Sequence, residues 1–487
     1  MTERVRPHLL ITIWLSQLVS LIGSSLTGFV LGVWTYQKTG SVTQFALIFL
    51  ASTLPGVLVA PFAGVLADRY DRRRLMLLTD TGAAVGTAVL AVLVATDSLQ
   101  VWHIWTATAL TAAFNVVHQV SYQAMTPALV GKKNLGRFNG FMQITRAVQI
   151  AAPVLAGVLW VTIGVGGVML IDLGTFAVAA LTLLLVPLSK EVTQPPAGGS
   201  VGARKSALRE AAAGWQYLRQ RSGLLSLVLL FGGFNFLFGI AGVLVQPLIL
   251  SFTTPDTLGI LMFAGGSGLF LGSLVMGAWG GPARRINAVF AGLTLGGVAL
   301  IGHSLAPSVW LIGVAAPLFL FTLPVLNSSA MTIIQTKTEP SVLGRVLATA
   351  RVLAEASVPV AYLLAGPLAD GIFEPLMQPD GALAGSIGAA IGTGDGRGTA
   401  LLFAVAGALM LVLTAVAWAH QPLRNVDLMP DALSDPSDTP PRTEQPKPAD
   451  DEPATVDPRP DVAEPLPDVA EPLPGDPPGP AAAPAHR

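Results

Sequence analysis

The feature that most constrains this chain is a succession of long, uninterrupted apolar runs. A hydrocarbon core about 30 Å thick is crossed by a helix of roughly 20 apolar residues. Runs of that length recur at 9–34, 43–67, 75–95, 102–124, 141–163, 166–188, 223–251, 258–280, 286–305, 308–330, 346–370 and 399–419. Backbone in hydrocarbon must satisfy its own hydrogen bonds, so such runs form helices. A transmembrane barrel would need short segments of alternating polarity, and these runs do not alternate. Composition agrees: 52% of residues are hydrophobic and only 12% charged, against about 25% charged in a soluble domain. The expected fold is an all-α membrane protein with twelve transmembrane helices in two six-helix, pseudo-symmetric bundles.

The loops set an expected orientation. With the N-terminus cytoplasmic, the inside loops and N-terminus carry 19 Lys and Arg, and the outside loops carry only Lys38 and Arg397. That asymmetry follows the rule that basic loops stay inside. Arg4 and Arg6 precede a first run too long for a cleaved leader, which reads as a retained helix. The domains expected are an N-terminal bundle at 1–188, a cytoplasmic linker at 189–222, a C-terminal bundle at 223–420 and a tail at 421–487. The linker opens with a Pro/Gly/Ser stretch from Gln194 to Gly202. It continues as a basic amphipathic helix with Leu208, Ala212, Trp215 and Leu218, placed on the inner interface. The outer loop 371–398, mostly Gly and Ala, reads as a flexible connector.

The net charge of −1 conceals an imbalance. Residues 421–487 hold 14 of the 29 acidic residues and 18 of the 37 prolines. This Pro/Asp/Glu-rich cytoplasmic tail, which repeats DVAEPLP at 461–467 and 468–474, cannot bury enough apolar surface to fold and is expected to be disordered.

The two halves echo each other. Gly136 and Arg137 precede the fifth span as Gly344 and Arg345 precede the eleventh. Inside them stand Arg146 and Arg351, then Gln149 and Glu355, each four residues before Pro153 and Pro359. Prolines at matching depth permit bending at equivalent places. Transporters built from such repeats bind substrate between the halves near midplane.

The loop after the second span reads GVLADRYDRRR, from Gly64 to Arg74. It resembles the signature between helices two and three of the major facilitator superfamily, with Gly64, Leu66, Ala67, Asp68, Arg69, Arg72 and Arg73 matching. Asp71 stands where that pattern has Gly. The stretches 127–140, 171–176, 336–346 and 392–402 resemble the branch of macrolide-efflux and siderophore-export permeases, the drug:proton antiporter type. The resemblance implies a conformational latch of Gly64, Asp68, Arg69, Arg72, Arg73 and Asp80, in which carboxylates pair with arginines across a cytoplasmic helix interface. Such pairs would favour the outward-facing state and break for inward opening. Independently of that role, positive charge holds the loop inside.

Charged side chains inside spans are costly and tend to face the bundle interior. Arg351 and Glu355, four apart on one helix face, can pair, either as a static pair or as a mobile one that couples proton binding to conformation. Glu355, Asp172, Arg351 and Arg146 are therefore the proton-coupling candidates. Gln17, Asn115, Gln149, Asn235, Gln246 and Asn327 are the cavity candidates. His118, Gln119 and Gln143 are further polar residues of the spans, and at most one of His118 and Gln119 points inward. Trp14, Trp34, Phe231, Phe234 and Phe238 suit an amphiphilic cargo; packing or anchoring is the alternative for each.

There is no cysteine, which excludes disulfides and thiolate metal sites. No phosphate-binding loop is present: Gly131 and Lys132 are followed by Lys133 rather than Ser or Thr. No catalytic set is legible, so an enzyme is not expected, nor a cofactor, metal or nucleic acid. The expected function is secondary active export of a hydrophobic or amphiphilic small molecule by alternating access, with a proton as coupling ion. The protein is expected to be monomeric in the plasma (inner) membrane, with both termini cytoplasmic. The alternatives are an uptake permease of the same fold and a transport-inactive scaffold or sensor acting through its tail.

Overall fold

The computed structural model describes residues 7–130, 135–188, 193 and 203–432. The tail beyond them and the side chain of Arg146 lie outside the described residues. All long elements are α-helices. They are α1 (Pro7–Thr39), α2 (Val42–Arg69), α3 (Arg72–Ala95), α4 (Val101–Val130), α5 (Leu135–Leu185), α6 (Ala203–Gln220), α7 (Ser222–Leu250), α8 (Pro255–Trp279), α9 (Arg285–Ser304), α10 (Val309–Lys337), α11 (Leu343–Glu355), α12 (Val358–Leu368) and α13 (Arg397–Ala419).

Two irregularities reconcile these elements with twelve spans. Helix α5 is two spans joined at Gly164, whose φ of 66° and ψ of −176° reverse the chain. Only glycine adopts that conformation without a Cβ penalty. The arms are antiparallel. Thr145 accepts a hydrogen bond from Trp14 Nε1 at 3.1 Å, Leu183 packs in the same cluster as Trp14, and Met169 clusters with Leu31 nearer the opposite end of α1. Conversely, α11 and α12 are one span broken at Ala356 and Ser357, just before Pro359. A proline inside a helix removes a donor and clashes with the preceding turn, which places the break where the sequence puts its bend.

The described arginines expected in the inside loops gather at one end, here the basic end. Arg72 donates to the Ala124 carbonyl on α4 at 3.1 Å, and Arg73 to the Leu184 carbonyl on α5 at 2.7 Å. At the same end of the second bundle, Arg221 pairs with Glu339 at 3.1 Å and stacks 3.8 Å over Tyr217. The linker helix α6 docks on α11 through Gly214 and the fully buried Leu218. Trp215 is 42% exposed. The second bundle packs α8 on α10 through Gly268 and Gly272, whose missing side chains let the Pro317 and Phe321 carbonyls approach.

The loop 371–398 differs from its expectation as a featureless connector. Asp370 and Glu374, at its start, cap two helix N-termini. Glu374 accepts from the amides of Gly396 at 2.5 Å and Thr399 at 3.2 Å, closing α13. Arg397, read as an outside loop charge, is buried and donates to the Ile391 carbonyl at 3.0 Å. Its glycines serve turns, including Gly396 at φ 77°, so low complexity there reflects tight backbone geometry.

Candidate functional site

The two bundles touch at the end opposite the basic loops. There α2 packs on α12, with Gly366 against the Thr43 backbone. The first arm of α5 packs on α8. A Cβ on Gly259 would lie 2.5 Å from the Pro153 carbonyl, and one on Gly157 would lie 2.7 Å from that of Pro255. Nearby, a Cβ on Gly32 of α1 would lie 3.0 Å from the Phe45 ring and 3.8 Å from Gln246 Oε1 of α7.

Toward the basic end the second bundle opens a cavity of about 550 Å³ between α7, α10 and α11. Phe231, Asn235, Asn327, Met331, Arg351 and Glu355 are among its walls. Arg351 Nε donates to Glu355 Oε1 at 3.0 Å, and both side chains are more than half exposed. Asn235 donates to the Ala354 carbonyl at 3.0 Å beside the helix break, and Asn327 to its own helix at Leu323. Phe231, Phe234, Phe238 and Phe319 form a ladder with centroids about 6 Å apart, leading from the cavity into the buried core. Asn115 and Gln149 are exposed on the other bundle, and Gln246 is half-buried beside the closed seam.

The residues expected to form a latch make no ion pair with one another in this conformation. Gly64 has open space where a Cβ would stand. Asp68 and Arg69 are exposed, and neither joins an ion pair among the described residues. Arg72 and Arg73 serve carbonyls instead. Asp71 caps α3, its carboxylate accepting from the Arg74 amide at 3.0 Å. At φ −59° it needs no left-handed backbone, so aspartate serves this turn as a cap. Asp80 faces not an arginine but His118, at 3.2 Å. Asp172, 1% exposed, is approached by Ser24 of α1 and Thr87 of α3, each at 3.4 Å, and so ties three helices of the first bundle together.

The sequence profile of the Major Facilitator Superfamily matches residues 13–369. The chain belongs to this superfamily. It is 26% identical over 371 residues to macrolide efflux protein A of Streptococcus pyogenes, covering 74% of this chain and 89% of the relative. It is 27% identical over 338 residues to the enterobactin exporter EntS of Citrobacter koseri, covering 69% and 79%. The crystal structure of a bacterial homolog to the human lysosomal transporter Spinster, inward-facing and unoccupied, shares the fold with a TM-score of 0.63 at 14% identity, covering 88% and 98%. This superfamily member is thus a multi-pass membrane transporter, in the branch that the loop and helix motifs indicate.

Two features of the site escape the sequence. The docking of α6 on α11 depends on Gly214, whose role is legible only once Thr349 and the Arg345 carbonyl are seen against it. The strap that follows α13 is the other. Lys337, 7% exposed, donates to the carbonyls of Asp427 and Met429 and to the Asp431 carboxylate. Asp427 accepts from the Ile286 amide at the start of α9, at 2.9 Å.

Proposed function

We propose that this transporter exports a hydrophobic or amphiphilic small molecule by alternating access, driven by protons, from the plasma (inner) membrane with both termini cytoplasmic. The observation that carries the reading is the cavity. It is walled mainly by apolar side chains, with one Arg–Glu pair and two amides to orient a polar group, and it opens toward the basic end while the opposite seam is closed. Its volume falls within the range of about 300–1,000 Å³ of small-molecule sites. Basic loops face the cytoplasm, so this state loads from the cytoplasm. The named activities of the macrolide and enterobactin relatives support export as the direction.

On this reading residues 1–188 and 223–420 rock against each other about the cavity, with 189–222 as linker. Asp68, Arg69, Arg72 and Arg73 close the basic end in the alternate state, and the space around Gly64 and Asp68 here is the open form of that latch. Arg351 and Glu355 meet the charged group of the cargo. The test is accumulation of radiolabelled erythromycin in a host stripped of its own exporters. Cells expressing the protein should accumulate less, and a protonophore should abolish the difference. Equal accumulation of macrolides and of a panel of lipophilic dyes, with and without the protein, would refute the reading.

A further inference from the structure

The first bundle contains a polar cluster that the cavity does not use. Asp80 of α3 and His118 of α4 meet at 3.2 Å, Nδ1 to Oδ1, with side chains 7% and 18% exposed. Gln17 of α1 faces the same carboxylate. His118 Nε2 has no hydrogen-bond partner among the described residues. A buried polar atom left unpaired costs about 1–3 kcal/mol, so an unpartnered ring nitrogen beside a buried carboxylate marks a site built for something other than packing.

We infer that Asp80 and His118 form the pair that binds and releases the coupling proton of this transporter. This rests on the proton-driven reading above and names where the proton sits. The comparison with the other ion pairs decides it. Arg221–Glu339, Lys337–Asp431 and Arg351–Glu355 each contain a permanently charged base and at least one side chain that is more than half exposed. Water screens such groups, and their charge need not change with conformation. Asp80–His118 is the ion pair among the described residues in which either partner can be neutral and both are mostly buried.

The proton count is simple. With one proton shared, the pair has no net charge; without it, the pair is an anion in a low-dielectric bundle, a state that costs free energy unless the surroundings rearrange. One proton joins from outer water in one conformation and the same proton leaves to inner water in the other. No second group need change charge. Of the helices involved, α3 begins at the motif loop. Asp80 lies about two turns beyond Arg72 and Arg73, which clip α3 to α4 and α5. His118 stands between Asn115 and Gln119, both exposed, so a shift in the pair moves a face of α4 that meets its surroundings.

The neighbouring ionisable groups are few. From α4 comes Tyr122, its ring 6.5 Å from that of His118. From α5 comes Asp172, which faces α3 at Thr87, about two turns further along; Arg146 is also on α5, its side chain outside the described residues. Helix α1 contributes Gln17 and no charge. Asp68 and Arg69 of α2 are exposed.

The test uses the full-length protein in lipid vesicles. Infrared difference spectra between mildly acidic and mildly alkaline pH need no substrate. The wild type should show a titrating protonated-carboxyl band that Asp80→Asn loses and His118→Gln shifts; a band unchanged in Asp80→Asn overturns the proposal whatever the cargo is. With erythromycin as probe, Asp80→Asn should keep counterflow but lose gradient-driven accumulation, roughly tenfold for each pH unit of imposed gradient. Asp80→Glu should restore driven transport with a displaced pH profile. If Asp80→Asn does not fold, Asp80→Glu and His118→Gln carry the test through that displacement. Driven transport with the wild-type pH profile in these variants, or loss of counterflow together with driven transport in both Asp80 variants, overturns it. A wild type that moves no erythromycin while its infrared band behaves as expected would remove the export reading and leave the proton site standing.

Discussion

Asp370 and Ser41 join the two halves of this transporter. The Asp370 carboxylate, in a π-helical turn at the end of α12, accepts from Ser41 Oγ at 2.7 Å. It also accepts from the amides of Val42 and Thr43 at 3.0 and 2.8 Å. Ser41 is itself the cap of α2, accepting from the Gln44 amide at 3.2 Å. An anion from the second bundle thus sits on the helix N-terminus of the first, where orphan N–H groups and the helix dipole favour negative charge. The alternate state must break this contact.

Hydrogen bonds to a charged group contribute about 1.5–3 kcal/mol each, and 1.4 kcal/mol is a factor of ten in population. Asp370→Asn removes the charge and one acceptor. Opening of the seam should increase on the order of tenfold. Because the chain has no cysteine, a single Val42→Cys reporter suffices. Its reaction with a membrane-impermeant maleimide should be faster in the Asp370→Asn background, and an unchanged rate would count against this latch.

The glycine seam makes the complementary prediction. Gly259→Val places a branched side chain where even a Cβ would lie 2.5 Å from the Pro153 carbonyl. Backbone cannot yield as a flexible side chain can, so the seam should be wedged apart. Spin labels on Thr254 and Ile163, at the ends of α8 and of the first arm of α5 away from the basic loops, should report a longer distance in Gly259→Val than in the wild type. Transport should fall while the protein remains folded.

Most of the fold was legible because apolar run length is a strong signal in a bilayer. The twelve spans, the proline break near Glu355 and the shared basic end all follow from residues near one another in sequence. What was not legible depends on pairs far apart. Nothing local distinguishes His118 from a packing residue until Asp80 is seen 3.2 Å away on another helix. Asp370, at the end of a span, needs Ser41, 329 positions earlier, to become a cap. The Gly/Ala loop after it misled because low complexity is shared by idle connectors and by turns too tight for side chains.

The motif loop gives a prediction in which stability and function part. Asp68 is exposed and takes no part in an ion pair among the described residues in this state. Asp68→Asn should therefore leave the melting temperature of the purified protein within experimental error of the wild type. On the proposed function its role belongs to the alternate state, so the same variant should transport more slowly at unchanged expression. A clear drop in melting temperature would assign Asp68 a structural contact in this conformation; undiminished transport would remove it from the latch.

Lys337 supplies the largest expected loss of stability. Its ammonium is 7% exposed and holds two carbonyls and a carboxylate of the strap 427–431. Replacing it by methionine keeps much of the volume and leaves three acceptors without their donor. Removing one partner from a buried, hydrogen-bonded charge typically costs about 3–5 kcal/mol; here Asp431 and one face of the strap reach water, so about 1–3 kcal/mol is expected, the cost of buried acceptors left unpaired. Thermal unfolding in detergent should show the loss. Limited proteolysis should show its place: cleavage after Arg424 should accelerate in Lys337→Met, because the strap is then held against α9 and α10 only by the Ile286 amide on Asp427 and by the Ala432 amide on the Thr336 carbonyl, at 2.8 Å. Asp427→Asn, which weakens the tie to Ile286, should add to the effect; a double variant no more sensitive than either single one would show that the strap is held elsewhere.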